Sequence, residues 1–155
     1  MKSFKALFLI LSFLALTPLV HATSSTTATG FIAGTSFTFT GTRVADGNTI
    51  YSVTVTTKLT GTLTGTGVDY AILIAHVDGS FNAQHLSICT CTLAEKSGTL
   101  TSILNLRGSL VTHFAEGQWT ILSGTGDLTN LRGQGTLLGA PFVGADYSLQ
   151  IHFEP

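Results

Sequence analysis

The stretch from Gln118 to Thr136 reads QWTILSGTGDLTNLRGQGT and decides the fold. Its pattern predicts a strand over residues 119–122, a glycine turn, a short apolar link and a second glycine turn that leads into another strand. Glycines at such corners take positive φ angles or let two backbones approach closely, which a Cβ would obstruct. We therefore predict a structural corner of an all-β domain, built by Gly124, Gly126, Asp127, Arg132 and Gly133.

Apolar and polar residues inside this corner have separate predicted roles. Leu128 and Leu131 are expected to be buried beneath the loop. The side chain of Asp127 or Asn130 is expected to hydrogen-bond to its own backbone, as short polar side chains do in turns. Arg132 is expected to bind loop carbonyl groups or Asp127, and Asp127 is interpreted as a turn residue rather than a catalyst.

The rest of the chain alternates in polarity with a period of two, which is typical of half-buried strands. In the last such segment Tyr147, Leu149 and Ile151 share one face. A turn is predicted at residues 45–48, and one long strand that bends at its glycines is predicted from Tyr51 to Gly65. About eight strands with regularly spaced turns indicate an antiparallel β-barrel or sandwich.

The first 22 residues have the pattern of a secretory signal peptide. Lys2 and Lys5 precede an apolar core over residues 6–16, and the small residues Val20 and Ala22, at positions −3 and −1, permit cleavage after Ala22. The apolar run is short for a membrane span, although an uncleaved anchor is the alternative. We predict a secreted or extracytoplasmic protein with a linker over residues 23–29 and a single domain over residues 30–155.

The charge of the chain is small and scattered. Seven Lys and Arg stand against eight Asp and Glu, a formal net charge of −1. No basic cluster exists to bind nucleic acid, and no polybasic run exists to hold an anionic membrane. We therefore expect neither nucleic acid nor, after signal cleavage, a membrane as a partner.

Several glycine-rich segments resemble a known family. KLTGTLTGTG at residues 58–67, SGTL at 97–100, GQWT at 117–120 and GTGDLTNLRGQG at 124–135 are similar, in order, to motifs of an uncharacterised bacterial secreted family. The resemblance covers the chain from about residue 41 to its end. It implies the eight-stranded, calycin-like β-barrel of allene oxide cyclase and dirigent proteins, with room for an interior cavity. It implies no activity, because the family has none assigned and no cyclase or dirigent active-site residue has a matching position here.

Cys89 and Cys91 lie two residues apart on a predicted strand and therefore share a face with His85. In an exported protein they are candidates for a disulfide or redox pair, within or between chains. Such a pair is awkward in an extended strand, because Cα atoms at i and i+2 lie about 6.5–7 Å apart. The alternatives are two inert core residues, or soft metal ligands together with His85. No further ligand has a recognisable spacing, so we predict no metal.

Four aromatic residues are the candidates for contact with a ligand: Tyr70, His76, His113 and Trp119. His76 follows Tyr70 on one strand face, and polar groups that converge in an apolar barrel are typical of a binding site. The alternative places His76 and His113 at the rim or on the surface, near turns.

No nucleophile elbow, zinc-protease or phosphate-loop motif occurs in the sequence, so no catalytic residue and no cofactor are predicted. Three functions stay open. The first is a secreted barrel that binds a small, largely apolar molecule. The second is an enzyme of the cyclase or isomerase type, whose pocket fixes the conformation of its substrate. The third is a structural or surface-assembly protein, and an oligomer is compatible with all three.

Overall fold

The computed structural model describes residues 24–155, so the predicted signal peptide and its cleavage site lie outside the described residues. Eight strands and one short helix make up this part of the chain. They are β1 (Thr26–Ala45), β2 (Asn48–Gly61), β3 (Leu63–Ala75), β4 (Ser80–Leu93), β5 (Lys96–Ser109), β6 (Phe114–Gly124), a 3-10 helix (Gly126–Leu128), β7 (Leu131–Ala140) and β8 (Gly144–Phe153).

The strands are hydrogen-bonded to one another in a closed ring in which each strand is antiparallel to its neighbours. The ring closes between the first and last strands, where residues 26–33 of β1 pair with residues 144–151 of β8. The prediction of about eight antiparallel strands in an all-β domain is confirmed. The turn predicted at residues 45–48 is also present, because Asp46 and Gly47 have φ angles of 51° and 78°, which suit a two-residue hairpin.

Two boundaries differ from the sequence predictions. β1 begins at Thr26, inside the predicted linker, because Ala28 is fully buried and pairs with Leu149. The single long strand predicted from Tyr51 to Gly65 is wrong, since the chain reverses between β2 and β3. Gly61 makes this reversal possible. Its φ is +105°, and a Cβ there would lie 2.5 Å from the Cα of Gly30.

One half of the ring interior is filled by a large apolar cluster. The residues of this cluster with the least exposure include Leu59, Leu63, Leu100, Trp119 and Leu149. Inward side chains from all eight strands meet in this cluster and most are large and apolar, which is how a small ring of eight strands is packed solid. This cluster closes one end of the interior, and we call it the plug.

The corner between β6 and β7 covers the end of the ring that the plug fills. Leu128 and Leu131 are fully buried, as predicted. Asp127 accepts a hydrogen bond from the Ser97 amide at 3.3 Å, not from its own backbone, so that part of the prediction is wrong. The loop lies against the start of β5, where a Cβ on Gly98 would lie 3.4 Å from the Cβ of Leu128. The hydrogen bond between Asp127 and β5 thus takes the place of the hydrogen bond that was expected within the turn.

Arg132 has the predicted role at this corner. Its guanidinium donates to the carbonyl oxygens of Thr129 and Leu131 at 3.2 and 2.9 Å. It also forms an ion pair with Glu154 at 3.1 Å. The corner is therefore held to the end of β8 as well as to β5.

At the other end, the wall of the ring is interrupted. Beyond Ala33, β1 pairs only with β2, because Ala33 is opposite Gly144, the first residue of β8. The β7–β8 turn fills this gap, with the Gly34 amide donating to the carbonyl of Val143 at 3.0 Å. The ring of Phe142 meets Phe37 edge-on with centroids 5.5 Å apart. The turn thus forms part of the wall.

Candidate functional site

The half of the interior that the plug leaves unfilled contains a cavity of about 110 Å³. Apolar side chains from all eight strands line it. The cavity exists because Ala71, Ala83 and Ala115 face inward where the plug end has leucine, isoleucine and tryptophan. Alanine side chains do not reach the axis of an eight-stranded ring, so space remains. Pro141, Phe142 and Val143 of the β7–β8 turn lie along its edge.

An aspartate and a histidine meet in the wall of this apolar cavity. Asp69 is 2% exposed, and its Oδ2 lies 3.2 Å from Nδ1 of His85. The His85 side chain is 14% exposed and also lines the cavity. A carboxylate that accepts the Nδ1 proton fixes the imidazole orientation, and in the neutral ring Nε2 is then an acceptor. The pair thus presents a polar group of fixed orientation to an apolar cavity.

Two buried oxygen atoms, one in this pair and one beside it, have no hydrogen-bond partner among residues 24–155. They are Oδ1 of Asp69 and Oγ1 of Thr57, whose residue is 3% exposed. Buried polar atoms are almost always satisfied, and one left without a partner costs about 1–3 kcal/mol. Asp69 and Thr57 both line the cavity, so a molecule bound there is a candidate to supply the missing bonds.

Strand register brings these three residues together on the inner wall. Val55 of β2 is opposite Asp69 of β3, and Ala71 of β3 is opposite His85 of β4. Thr57 is opposite Gly67, so it is a diagonal neighbour of Asp69. A Cβ at Gly67 would lie 2.8 Å from the Thr57 hydroxyl, so the glycine makes room for it.

Sequence reasoning missed Asp69 and Thr57 and grouped His85 only with the cysteines. A signal was present, because Asp69 has the same phase as Ala71 and Leu73 in an alternating strand. The sequence prediction instead took the opposite face of β3, with Tyr70 and His76, as the one that contacts a ligand. A charged residue in phase with an apolar face is rare unless it is paired, so this pattern indicates a buried charge with a partner.

The four predicted ligand contacts are not brought together. Tyr70 is 55% exposed on the outer face of β3, so its assignment to the interior is wrong. The strand alternates in the opposite phase to that expected, with Ala71 inside. His113 is exposed in the β5–β6 turn, at φ 53°.

His76 lies at the end of the ring and has partners for both of its ring nitrogens. Its Nδ1 is 2.9 Å from the Asn48 amide oxygen, and its Nε2 is 2.9 Å from the Asn82 amide nitrogen. Nδ1 therefore donates and Nε2 accepts, which leaves the ring no nitrogen for a ligand. Beyond it, a hydrogen bond from the Ser80 hydroxyl, assisted by the Ser80 amide, lowers the pKa of Asp78. His76 is best explained as part of the hairpin structure.

Trp119 is 2% exposed and belongs to the plug, not to the cavity wall. Its ring meets Tyr147 edge-on at 5.3 Å. The Tyr147 hydroxyl accepts from the Leu63 amide at 2.9 Å and lies 3.2 Å from the carbonyl oxygen of Thr60. Burial raises the pKa of Tyr147, although the Leu63 hydrogen bond acts in the opposite direction. The Tyr147 hydroxyl thus fixes β8 to the β2–β3 reversal.

Cys89 and Cys91 are joined in a disulfide in the plug. Their Cα atoms are 5.5 Å apart, closer than the spacing expected of a fully extended strand and inside the range that disulfides use. Glycines on β3 face both cysteines, because Gly67 is opposite Cys89 and Gly65 is opposite Cys91. His85 bonds to Asp69 instead of joining them as a ligand.

Two features are absent from the described part of the chain. Residues 24–155 contain no group of three or more His, Cys, Asp and Glu side chains arranged to hold a metal ion. Within the same range, no helix has the length and apolar character needed to cross a membrane.

Comparison with known proteins gives the chain a family. The model of the DUF3224 family, described as a protein of unknown function, matches residues 32–150. The chain belongs to the DUF3224 family. This confirms the prediction of an uncharacterised family, and the DUF3224 match spans both the cavity wall and the plug. A comparison with curated proteins found no match.

A solved structure supports the same fold for DUF3224 proteins. The chain is similar to the crystal structure of a DUF3224 protein of unknown function from Shewanella oneidensis MR-1, with a TM-score of 0.65 and 16% identity. The similarity covers 85% of this chain and 99% of that one. At this identity the likeness concerns the fold alone.

Proposed function

We propose that this DUF3224 protein is exported and binds a small, largely apolar molecule in the cavity of its ring. One observation carries the proposal. An otherwise apolar cavity is lined by the paired Asp69 and His85 and by the neighbouring Thr57, and one oxygen atom of Asp69 and the Thr57 hydroxyl have no partner within residues 24–155. Binding sites for small molecules combine an apolar wall with a few placed polar groups in this way.

The family resemblance agrees with a binding role. An allene oxide cyclase-like barrel offers an interior cavity between its strands, and eight strands leave space for side chains or one small ligand. Export rests on the signal pattern of residues 1–22. The disulfide of Cys89 and Cys91 is compatible with an oxidising compartment.

The volume of the cavity limits the size of its ligand. An apolar cavity of about 150 Å³ in another protein holds benzene. The 110 Å³ found here is smaller, so a body of about six non-hydrogen atoms is the upper limit. A larger ligand requires the β7–β8 turn to move, and Phe142 in that turn has a φ of 61°, which is unfavourable for a phenylalanine. The turn is the proposed route of access.

Benzene tests the cavity directly. In a ¹H–¹⁵N NMR titration we expect benzene to shift the amide signals of inward residues such as Ala71 and Ala83. Ala71→Leu fills the cavity and should abolish these shifts. Ile72→Leu changes the adjacent, 48% exposed residue and serves as the matched control, which should bind as the wild type does. Failure of benzene to shift these signals in the wild type, or unchanged binding by Ala71→Leu, would contradict the proposal.

The second candidate is an isomerase-type enzyme, and the Asp69–His85 pair favours it. A carboxylate that orients an imidazole is a common arrangement for a general base. Nε2 of His85 would remove a proton from a carbon next to a carbonyl group and return it at another position. Exchange of the α-protons of cyclopentanone into D₂O measures this step. Faster exchange with the wild type than with His85→Gln would support the enzyme, and equal rates would remove it.

A further inference from the structure

We infer that the cavity selects a small alcohol, held by its hydroxyl group between Asp69 and Thr57. The inference rests on the proposed binding function and adds the chemical class of the ligand. It starts from the two atoms without partners. Oδ1 of Asp69 needs a donor, and the Thr57 hydroxyl can donate one hydrogen bond and accept others.

The placement of the two residues allows one atom to satisfy both. Thr57 and Asp69 are diagonal inward neighbours on β2 and β3. The Cα atoms of such neighbours are about 7–8 Å apart. Neither orphan oxygen is hydrogen-bonded to the other or to any other group within residues 24–155. A single oxygen between them can donate to Asp69 and accept from Thr57.

A hydroxyl group is the ligand group that fits this pattern completely. A ketone oxygen accepts from Thr57 but offers no proton to Asp69. An ammonium group donates to Asp69 but cannot accept the Thr57 proton. No lysine or arginine lies among the residues that line the cavity in the described part of the chain, so Asp69 has His85 as its one polar partner there. The hydroxyl satisfies both of these oxygen atoms, and buried polar atoms in proteins are generally satisfied.

The ligand body is set by the rest of the wall. The residues around the polar group include Val53, Val55, Ala71 and Leu104, all apolar. Together with the volume, they favour a compact hydrocarbon of about five carbons that carries one hydroxyl group. Cyclopentanol has this composition, and it has close analogues that differ in a single group.

The test is a set of NMR titrations with four probes of nearly equal size: cyclopentanol, cyclopentanone, cyclopentylamine and methylcyclopentane. We expect cyclopentanol to bind about tenfold more tightly than cyclopentanone, because the ketone leaves the Asp69 carboxylate without a donor. Equal affinities of these two would overturn the inference. Tighter binding of cyclopentylamine would also overturn it, since the charge of Asp69 would then select the ligand.

Two variants assign the effect to the named atoms. Asp69→Asn and Thr57→Val should each weaken cyclopentanol binding about three- to tenfold while benzene binding changes less than about twofold. Thr56→Val alters the neighbouring outward threonine and should leave both affinities unchanged. If Asp69→Asn does not fold, Thr57→Val still decides the question. Unchanged cyclopentanol affinity in Thr57→Val would refute the bridging hydroxyl.

The outcomes separate this inference from the proposed function. If benzene binds in the cavity but the alcohol has no advantage over the ketone, the binding function holds and the ligand class is wrong. If neither benzene nor any of the four probes shifts the cavity signals, the binding function itself fails.

Discussion

Replacing Thr57 by valine should stabilise the protein, although the change lies in its core. The Thr57 residue is 3% exposed, and its hydroxyl has no partner among the described residues. Folding therefore buries the hydroxyl without a hydrogen bond from the described part of the protein. Valine has the same shape with a methyl group in place of the hydroxyl, and it keeps the β-branched form that suits a strand.

The size of the gain follows from this environment. A buried, unsatisfied polar atom costs about 1–3 kcal/mol, and the valine methyl adds a small gain from apolar burial. We expect Thr57→Val to raise the free energy of unfolding by about 1–2 kcal/mol. In a domain of this size that corresponds to an increase in Tm of about 3–6 °C. The same change should weaken alcohol binding, so stability and binding should move in opposite directions.

Urea denaturation followed by circular dichroism, together with calorimetry, measures this change. The matched control is Thr56→Val on the outer, exposed face of the same strand, which should change stability by less than about 0.5 kcal/mol. A loss of 1 kcal/mol or more in Thr57→Val would refute the reasoning. It would mean that the hydroxyl has a partner in the folded protein, and a bound water would be the first to seek.

Two further predictions concern the plug. Leu128→Ala should lower the free energy of unfolding by about 2–5 kcal/mol because Leu128 is fully buried, whereas Leu138→Ala, at a 55% exposed position, should cost little; equal losses in chemical denaturation would contradict this. Burial raises the pKa of Tyr147 above 10.0, so the folded protein holds this proton more tightly than the unfolded chain. That contribution to stability is complete below pH 10 and is lost as the pH rises through the folded pKa. Denaturation at pH 8 and pH 11 should show a larger loss for the wild type than for Tyr147→Phe, and an equal loss would count against the pKa shift.

The fold was predictable from the sequence to a large extent because its signals are local. A period of two and glycine turns are properties of neighbouring residues. They predict the eight strands and the burial of Leu128 and Leu131. The reversal after Gly61 was missed because it depends on the close approach of β1. That approach is a tertiary contact with no local signature.

The candidate site was less predictable for a physical reason. Which face of β3 is inside depends on register with two neighbouring strands, and a shift of one residue exchanges all inward and outward side chains. Tyr70 and Ile72 look like core residues, yet they are 55% and 48% exposed, and Asp69 lies inside. The pairing of Asp69 with His85 arises only when β3 and β4 are aligned. A sequence without its register cannot supply that contact.

Closure of the ring between β1 and β8 has a consequence for the kinetics of folding. Residues near the two ends of the described chain bond to each other, as Ser25 does with Gln150 across 125 positions of sequence. Contacts between such distant residues form slowly, because the chain must lose much of its freedom before they are made. Until β8 arrives, β1 and β7 each have an open backbone edge that can pair with another chain. We therefore expect slow refolding that competes with aggregation as the protein concentration rises, and a native state whose strands exchange their amide protons together.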